Sequence, residues 1–81
     1  MITMYSRTVC PYCDQAKALL DSKNIEYKVV NIEKDADART FLASQGLRSV
    51  PQIYESETLI GGFDKLKEWV SLNEIVSNIK L

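Results

Sequence analysis

The sequence predicts a small α/β domain in which four short strands and three or four helices follow the order β-α-β-α-β-β-α. Runs rich in β-branched and aromatic residues alternate with segments of helical apolar periodicity. A helical crossover joins the first two strands, which makes them parallel. Two later runs, residues 51–54 and 58–60, are spaced as an antiparallel hairpin. We therefore expect a four-stranded mixed sheet flanked by helices.

Composition limits the size and class of the protein. The 81 residues form one domain, 1–81, without a linker or repeat. Ten Lys and Arg against 11 Asp and Glu argue against a nucleic-acid partner bound by bulk charge. No apolar run is long enough for a membrane span, and residues 1–7 do not resemble a signal peptide. We expect a cytoplasmic protein with no membrane association.

The first half of the chain contains the clearest local signals. Residues 2–5 form a strand that leads directly into a turn at Cys10. Pro11 begins the first helix, because proline is favoured at the first helical position. The helix ends near Lys23-Asn24, since Asn tolerates the left-handed conformation that follows many helices. Residues 27–32 are rich in β-branched and aromatic side chains and form the second strand.

The second half is expected to contain the hairpin between two helical segments. Asp35 or Asp37 caps the second helix, and Gly46 ends it. The hairpin turn lacks the usual Asn-Gly or Asp-Gly pair. A helical pattern begins at Phe63, as one helix or as two that are broken near Leu72-Asn73. Its apolar residues are Leu66, Trp69, Val70, Ile75, Val76 and Ile79.

The only two cysteines, Cys10 and Cys13, are three positions apart. A structural disulfide would close so small a loop that it would constrain the unfolded chain little. A structural zinc site needs four ligands, and the chain contains no third Cys and no His. A redox-active dithiol is the third interpretation and the one that the sequence favours. We accordingly expect no bound metal.

The position of Cys10 before Pro11 predicts how the two thiols differ. As the N-cap, Cys10 can accept hydrogen bonds from the free N–H groups of Tyr12 and Cys13. The positive end of the helix dipole adds to this stabilisation, so the pKa of the Cys10 thiol is expected to be lowered. Cys13 lies inside the first turn and is expected to be more buried. We therefore predict that Cys10 is the nucleophile and Cys13 the resolving thiol.

Three motifs together resemble the signatures of dithiol glutaredoxins. They are Cys10-Pro11-Tyr12-Cys13, Ser49-Val50-Pro51 and Gly61-Gly62-Phe63-Asp64, and they occur in the family's order and with family-like spacing. The resemblance extends over essentially the whole chain. It implies a thioredoxin-like fold and a monomeric enzyme that uses glutathione to reduce glutathionyl mixed disulfides and protein disulfides. Its partners would be glutathione and disulfide-containing or glutathionylated proteins, with ribonucleotide reductase one plausible target.

The resemblance also implies where glutathione binds. Pro51 matches a cis proline, and the backbone of Val50 would pair with the cysteinyl part of glutathione in the manner of a strand. Ser49 stands where the family usually has Thr and keeps the hydroxyl. The N–H groups of Phe63 and Asp64 would bind the γ-glutamyl carboxylate, and the Asp64 side chain would bind the ammonium. Without the resemblance, Asp64 could equally be a helix cap.

Further contacts are expected at the rim of this site. Tyr12 would form a wall of the groove. Arg7 matches a basic position near the glycyl carboxylate, and Arg48 matches a position that is often basic, although either can be an ordinary surface charge. In some relatives a residue of the second helix contacts glutathione. It would fall near Ala38 or Arg39 in this chain.

Two alternatives share the fold. One is a ribonucleotide-reductase redoxin that is reduced by thioredoxin reductase. Such proteins carry Trp-Ser-Gly-Phe where this chain has Gly61-Gly62-Phe63-Asp64. The other is an iron–sulfur carrier in which two chains share a glutathione-ligated cluster, and Pro11 after the nucleophile disfavours it.

Overall fold

One mixed sheet organises the protein in the computed structural model, which describes residues 1–79 and the side chains of residues 1–73. The elements in chain order are β1 (Ile2–Ser6), α1 (Pro11–Ser22), β2 (Tyr27–Asn31), α2 (Ala36–Ser44), β3 (Gln52–Glu55), β4 (Thr58–Gly61) and α3 (Phe63–Ile79). The strand order is β2-β1-β3-β4. β1 is parallel to β2 and antiparallel to β3, and β4 is antiparallel to β3. The predicted α/β fold and mixed sheet are confirmed.

The main core lies between one face of the sheet and the helices α1 and α3. Alternate residues of a strand point to opposite faces, so Met4 and its cross-strand partner Ile53 both face this core. The buried cluster consists of Ile2, Met4, Cys10, Cys13, Ala16, Leu20, Ile53, Leu66 and Val70. Both cysteines therefore belong to the packed interior that joins α1 to the sheet.

The opposite face of the sheet is covered by α2. Tyr5 and Tyr54 project from β1 and β3, and Phe41 of α2 packs on both, with ring centroids 5.8 and 5.6 Å away. Tyr5 and Tyr54 meet edge to face at 5.7 Å. Such aromatic pairs add to the stabilisation that comes from burial alone. Phe41 nonetheless remains 37% exposed.

The helix ends follow the local signals in the sequence. Asn24 has a φ of +57°, the left-handed conformation predicted after α1. Asp35 rather than Asp37 caps α2, because its Oδ1 accepts the Ala38 N–H at 3.0 Å. Gly46, with a φ of +74°, follows the end of α2.

The last helix, α3, is continuous from Phe63 to Ile79, so the alternative with a break near Leu72-Asn73 is wrong. The Asn73 side chain donates to the Trp69 carbonyl at 2.7 Å, which lets the Asn remain within the helix. The side chains of Ile75, Val76 and Ile79 lie outside the described ones. Of the helices within residues 1–79, none is long and apolar enough to cross a membrane.

The hairpin of β3 and β4 brings two distant segments together. Its turn is Ser56-Glu57, and Ser56 adopts a left-handed φ of +53° although it is not glycine. A register shift between Ile53 and Tyr54 marks a bulge near the end of β4. The residue before β3, Pro51, therefore lies beside the residue after β4, Gly62. A Cβ placed on Gly62 would be 3.6 Å from the Pro51 carbonyl oxygen.

Candidate active site

Cys10 is the N-cap of α1, as the sequence predicts. Its backbone is extended, with φ −152° and ψ 93°, and its Sγ accepts the Cys13 N–H at 3.1 Å. The Cys10 carbonyl accepts from the Asp14 N–H at 3.1 Å, which is the first hydrogen bond of the helix. A peptide N–H and the positive end of α1 thus point at this sulfur. Both features stabilise a negative charge there when the thiol is ionised.

The two sulfurs form a disulfide, with a Cα–Cα distance of 5.2 Å. Cys10 retains 6% of its accessible surface, whereas Cys13 is fully buried among the residues of the main core. Both residues are thus buried, and Cys10 is the one of the two with residual exposure.

A groove of about 230 Å³ lies beside the first turn of α1. Three segments line it: the start of α1, the loop before β3 and the start of α3. The lining residues are Tyr12, Ser49, Val50, Pro51, Gly62, Phe63 and Asp64. Five residues that the sequence assigns to the glutathione site thus come together, and the Val50–Pro51 peptide bond is cis, as the resemblance implies.

The rim of the groove combines aromatic rings with paired charges. Tyr12 and Phe63 approach with ring centroids 6.3 Å apart. Lys67 places its Nζ 4.8 Å from the Phe63 ring centroid and 3.4 Å from Asp64 Oδ1. The Gly62 carbonyl accepts the Leu66 N–H at 3.0 Å, so Asp64 lies inside the first turn of α3 and is not its cap. Its carboxylate is 93% exposed and accessible to a ligand ammonium group.

The two predicted basic contacts lie outside the lining of the groove. Arg7 is exposed, and its Nε donates to the Val9 carbonyl at 3.0 Å, which folds the side chain over the loop before Cys10. Arg48 is exposed on the loop before β3. Ala38 is buried in α2, and Arg39 donates to the Ile32 carbonyl at 2.6 Å. The contacts of these residues with glutathione stay predictions.

Sequence reasoning missed the part that Gln52 plays in the groove. This side chain is buried, with 8% of its surface exposed. Its Nε2 donates to the carbonyl oxygen of Ser49 at 3.1 Å and to its Oγ at 3.2 Å. Gln52 therefore braces the loop whose backbone forms one wall of the groove. The available signal was a polar residue at the start of a strand, directly after Pro51 and before Ile53 and Tyr54.

Among the side chains described, those of residues 1–73, no group of three or more His, Cys, Asp or Glu is arranged to hold a metal ion. The chemistry that the site offers is that of two neighbouring sulfur atoms, joined as a disulfide at the N-terminus of a helix. Together with the thioredoxin-like sheet, this arrangement defines the protein as a thiol–disulfide oxidoreductase.

Comparison with known proteins identifies the family. The family model for glutaredoxin matches residues 2–60, and the chain belongs to the glutaredoxin family. A glutaredoxin of Neisseria meningitidis serogroup A is 43% identical over 68 residues, which cover 80% of this chain and 79% of the relative.

Two solved structures are similar over most of the chain. The buckwheat glutaredoxin–glutathione complex matches with a TM-score of 0.77 and 26% identity, over 94% of this chain and 73% of that one. The glutaredoxin-like NrdH-redoxin of Escherichia coli, described as having a thioredoxin-like activity profile, matches with a TM-score of 0.74 and 25% identity. That match covers 83% of this chain and 91% of the redoxin.

Proposed function

We propose that the protein reduces glutathionyl mixed disulfides and protein disulfides with electrons from glutathione. The observation that carries the proposal is the groove beside α1, where Tyr12, Val50, Pro51, Phe63 and Asp64 come together next to the helix that Cys10 caps. The solved complex of the buckwheat relative with glutathione supports this ligand. The proposed setting is the cytoplasm, with the protein acting as a monomer.

The monothiol route needs only Cys10. Its thiolate attacks the glutathione sulfur of a mixed disulfide, so that a Cys10–glutathione disulfide forms and the substrate leaves as a thiolate. A second glutathione thiolate then attacks the glutathione sulfur of this adduct. Oxidised glutathione forms, and Cys10 is released as a thiolate. The two steps together convert the mixed disulfide and one reduced glutathione into the substrate thiol and one oxidised glutathione.

The dithiol route uses both cysteines. The Cys10 thiolate attacks a protein disulfide and forms a mixed disulfide with one substrate sulfur, while the other leaves as a thiolate. Cys13 loses its proton and attacks Cys10 Sγ, which releases the second substrate thiolate and leaves the Cys10–Cys13 disulfide. Two glutathione molecules reduce this disulfide. The burial of Cys13 agrees with its assignment to the internal step.

Glutathione would lie in the groove with its two ends held separately. The Val50 backbone would pair with its cysteinyl unit, and Tyr12 would cover that unit from the side of α1. The γ-glutamyl carboxylate would accept from the first-turn N–H groups of Phe63 and Asp64, and the ammonium would contact the Asp64 carboxylate. Arg7 and Arg48 would attract the glycyl carboxylate from the rim.

The test is glutathione-dependent reduction of a small mixed disulfide, coupled to glutathione reductase and NADPH. It compares the wild type with Cys10→Ser and Cys13→Ser. We expect Cys10→Ser to lose all turnover and Cys13→Ser to keep much of it, because only Cys10 acts in the monothiol route. Turnover that survives in Cys10→Ser would show that the nucleophile is assigned incorrectly.

A second arm of the same test replaces glutathione and its reductase with thioredoxin reductase. Turnover with thioredoxin reductase and none with glutathione would contradict the proposal and identify a redoxin. The visible absorption of the purified protein tests for an iron–sulfur cluster, and we expect a colourless preparation.

A further inference from the structure

The loop that precedes Cys10 is tied to the loop that follows β2. Glu33 Oε1 accepts the backbone N–H of Thr8 at 2.9 Å. Asn31 Nδ2 donates to Thr8 Oγ1 at 3.2 Å, and Asn31 Oδ1 accepts the Glu33 N–H at 2.9 Å. We call these three hydrogen bonds the Glu33 clamp. Two of them connect residues that are 23 and 25 positions apart in the chain, and the third joins Asn31 to Glu33 within one loop.

The clamp acts at the point where the chain leaves the sheet. The backbone pairing of β1 with the β2 segment ends in the hydrogen bond from the Ile32 N–H to the Ser6 carbonyl, at 2.8 Å. Beyond Ser6, residues 7–9 are exposed and belong to no helix or strand. The bond from Arg7 to the Val9 carbonyl is internal to this segment and cannot fix it to the protein body. The Glu33 clamp supplies that attachment, two residues before Cys10.

The position of Cys10 depends on this segment. Its sulfur accepts the Cys13 N–H only while the Cys10 backbone keeps its extended N-cap conformation. That conformation is determined on one side by α1 and on the other by the path of residues 7–9. A loose segment would let the cap rotate away from the helix N-terminus, and the thiolate would lose part of its stabilisation.

We propose that Glu33 is a positioning residue for the Cys10 nucleophile. It acts on Cys10 indirectly, through its hydrogen bond to the Thr8 backbone. This inference rests on the proposed role of Cys10 in the reaction. The Thr8 hydrogen bonds lower the pKa of the Glu33 carboxyl, and the charges of Arg7 and Lys34 lower it further. Glu33 is therefore ionised at neutral pH and accepts the N–H as a charged acceptor.

The charge of Glu33 and its hydrogen bond act on Cys10 in opposite directions. A carboxylate near a thiol disfavours the thiolate, so removal of the charge alone would make Cys10 more reactive. Loss of the hydrogen bond would make Cys10 less reactive, because its cap geometry loosens. Glu33→Gln removes the charge and keeps an oxygen acceptor, whereas Glu33→Ala removes both. The direction in which the reactivity of Cys10 changes therefore separates the effect of the charge from that of the hydrogen bond.

The experiment measures alkylation of Cys10 by iodoacetamide across a pH series, in a Cys13→Ser background in which only Cys10 reacts. Four proteins are compared in this background: the parent with Glu33, Glu33→Ala, Glu33→Gln and the control Glu57→Ala. The control removes an exposed carboxylate from the hairpin turn, which lies at the other end of β1. We expect Glu33→Ala to slow alkylation at neutral pH by about three- to tenfold, with a higher thiol pKa. Glu33→Gln should remain within about twofold of the parent, as should Glu57→Ala.

Hydrogen exchange at the Thr8 amide provides a second readout that does not depend on activity. We expect faster exchange in Glu33→Ala than in Glu33→Gln, because only the alanine variant lacks an acceptor for this N–H. The proposal is overturned if Glu33→Ala alkylates as fast as the parent or faster. It is also overturned if Glu33→Gln is as slow as Glu33→Ala.

This test does not require glutathione to be the substrate. If the wild type fails to turn over with glutathione while Glu33→Ala still slows alkylation, the proposed function is wrong and the positioning role stands. If turnover with glutathione is normal in all variants and alkylation does not change, the proposed function stands and the positioning role is wrong.

Discussion

A single buried amide determines the shape of one wall of the groove. Gln52 donates both of its described hydrogen bonds to Ser49, and Ser49 and Val50 line the cavity. Gln52→Met keeps the length of the side chain but leaves the Ser49 carbonyl without this donor. A hydrogen bond of this kind contributes about 1 kcal/mol. We expect the loop to lose its fixed position once both bonds from the buried Gln52 amide are gone.

The expected kinetic result is a change in KM and not in kcat. Gln52→Met should raise the KM for glutathione about three- to tenfold, because the Val50 backbone no longer has a fixed position. At saturating glutathione kcat should be close to the wild-type value, since the hydrogen bond between Cys13 and Cys10 is untouched. Gln45→Met at the exposed end of α2 is the control. If stability falls while KM stays constant, Gln52 is merely structural.

At the scale of elements, the junction between β4 and α3 depends on one glycine much more than on its neighbour. Gly61 has a φ of +125°, and a Cβ there would lie 2.8 Å from Cγ of Lys65. An L side chain would be strained in this conformation, at a cost of about 1–3 kcal/mol. A Cβ on Gly62 would meet the Pro51 carbonyl at 3.6 Å, an ordinary contact.

We therefore predict that Gly61→Ala destabilises the protein and that Gly62→Ala has a much smaller effect. Urea unfolding of the two variants, followed by circular dichroism, gives the comparison directly. Gly61→Ala should lower the free energy of unfolding by about 1–3 kcal/mol. Equal stability of the two variants would mean that the positive φ of Gly61 is not a constraint on this junction.

At the scale of the whole molecule, the buried Tyr54 and the half-buried Tyr27 make the stability of the fold depend on pH in the alkaline range. Burial raises the pKa of Tyr54 above its ordinary value of 10.0, and the nearby Tyr5 adds to this. Burial and then the hydrogen bond and charge of Asp21 raise the pKa of Tyr27. A group whose pKa is raised by folding stabilises the native state fully below its unfolded pKa. That contribution is lost as the pH rises through the folded pKa.

The expected outcome is a steeper loss of stability above about pH 10 in the wild type than in Tyr54→Phe. Phenylalanine keeps the ring contacts with Tyr5 and Phe41 but has no proton to lose. Midpoints of thermal unfolding measured at a series of pH values give the two slopes. Identical slopes would show that Tyr54 ionises equally easily in the folded and unfolded chain. The Tyr27→Phe variant should show a reduced slope for the same reason.

Much of the fold could be predicted because its signals are local. Pro11 after Cys10 is enough to place a helix start and an N-cap thiol, since both depend only on neighbouring residues. Asn73 left the prediction of α3 open between one helix and two, because its side chain can either end a helix or bond to the preceding turn. Trp69 offers that bond in the folded protein.

The brace at Gln52 and the clamp at Glu33 could not be predicted from the sequence. The contact between Glu33 and Thr8 exists only because the parallel pairing of β1 and β2 brings the loops at their ends together. Gln52 reaches Ser49 only because the loop before β3 follows a path that brings the two residues together. Each of these two contacts depends on the path of the backbone, which the residue types alone do not determine.

The hairpin described above gives the molecule a natural point of attachment. Both of its ends border the groove, while its turn at Ser56-Glu57 lies beside Met1, the residue before β1, since the Ser56 N–H donates to the Met1 carbonyl. Four residues of strand, roughly 13 Å, separate the turn from Pro51. A dye or surface tether coupled at position 57 would therefore sit at the far end of the sheet from the reactive sulfur. The protein could be immobilised there as an electrode-bound redox sensor with its groove facing solution.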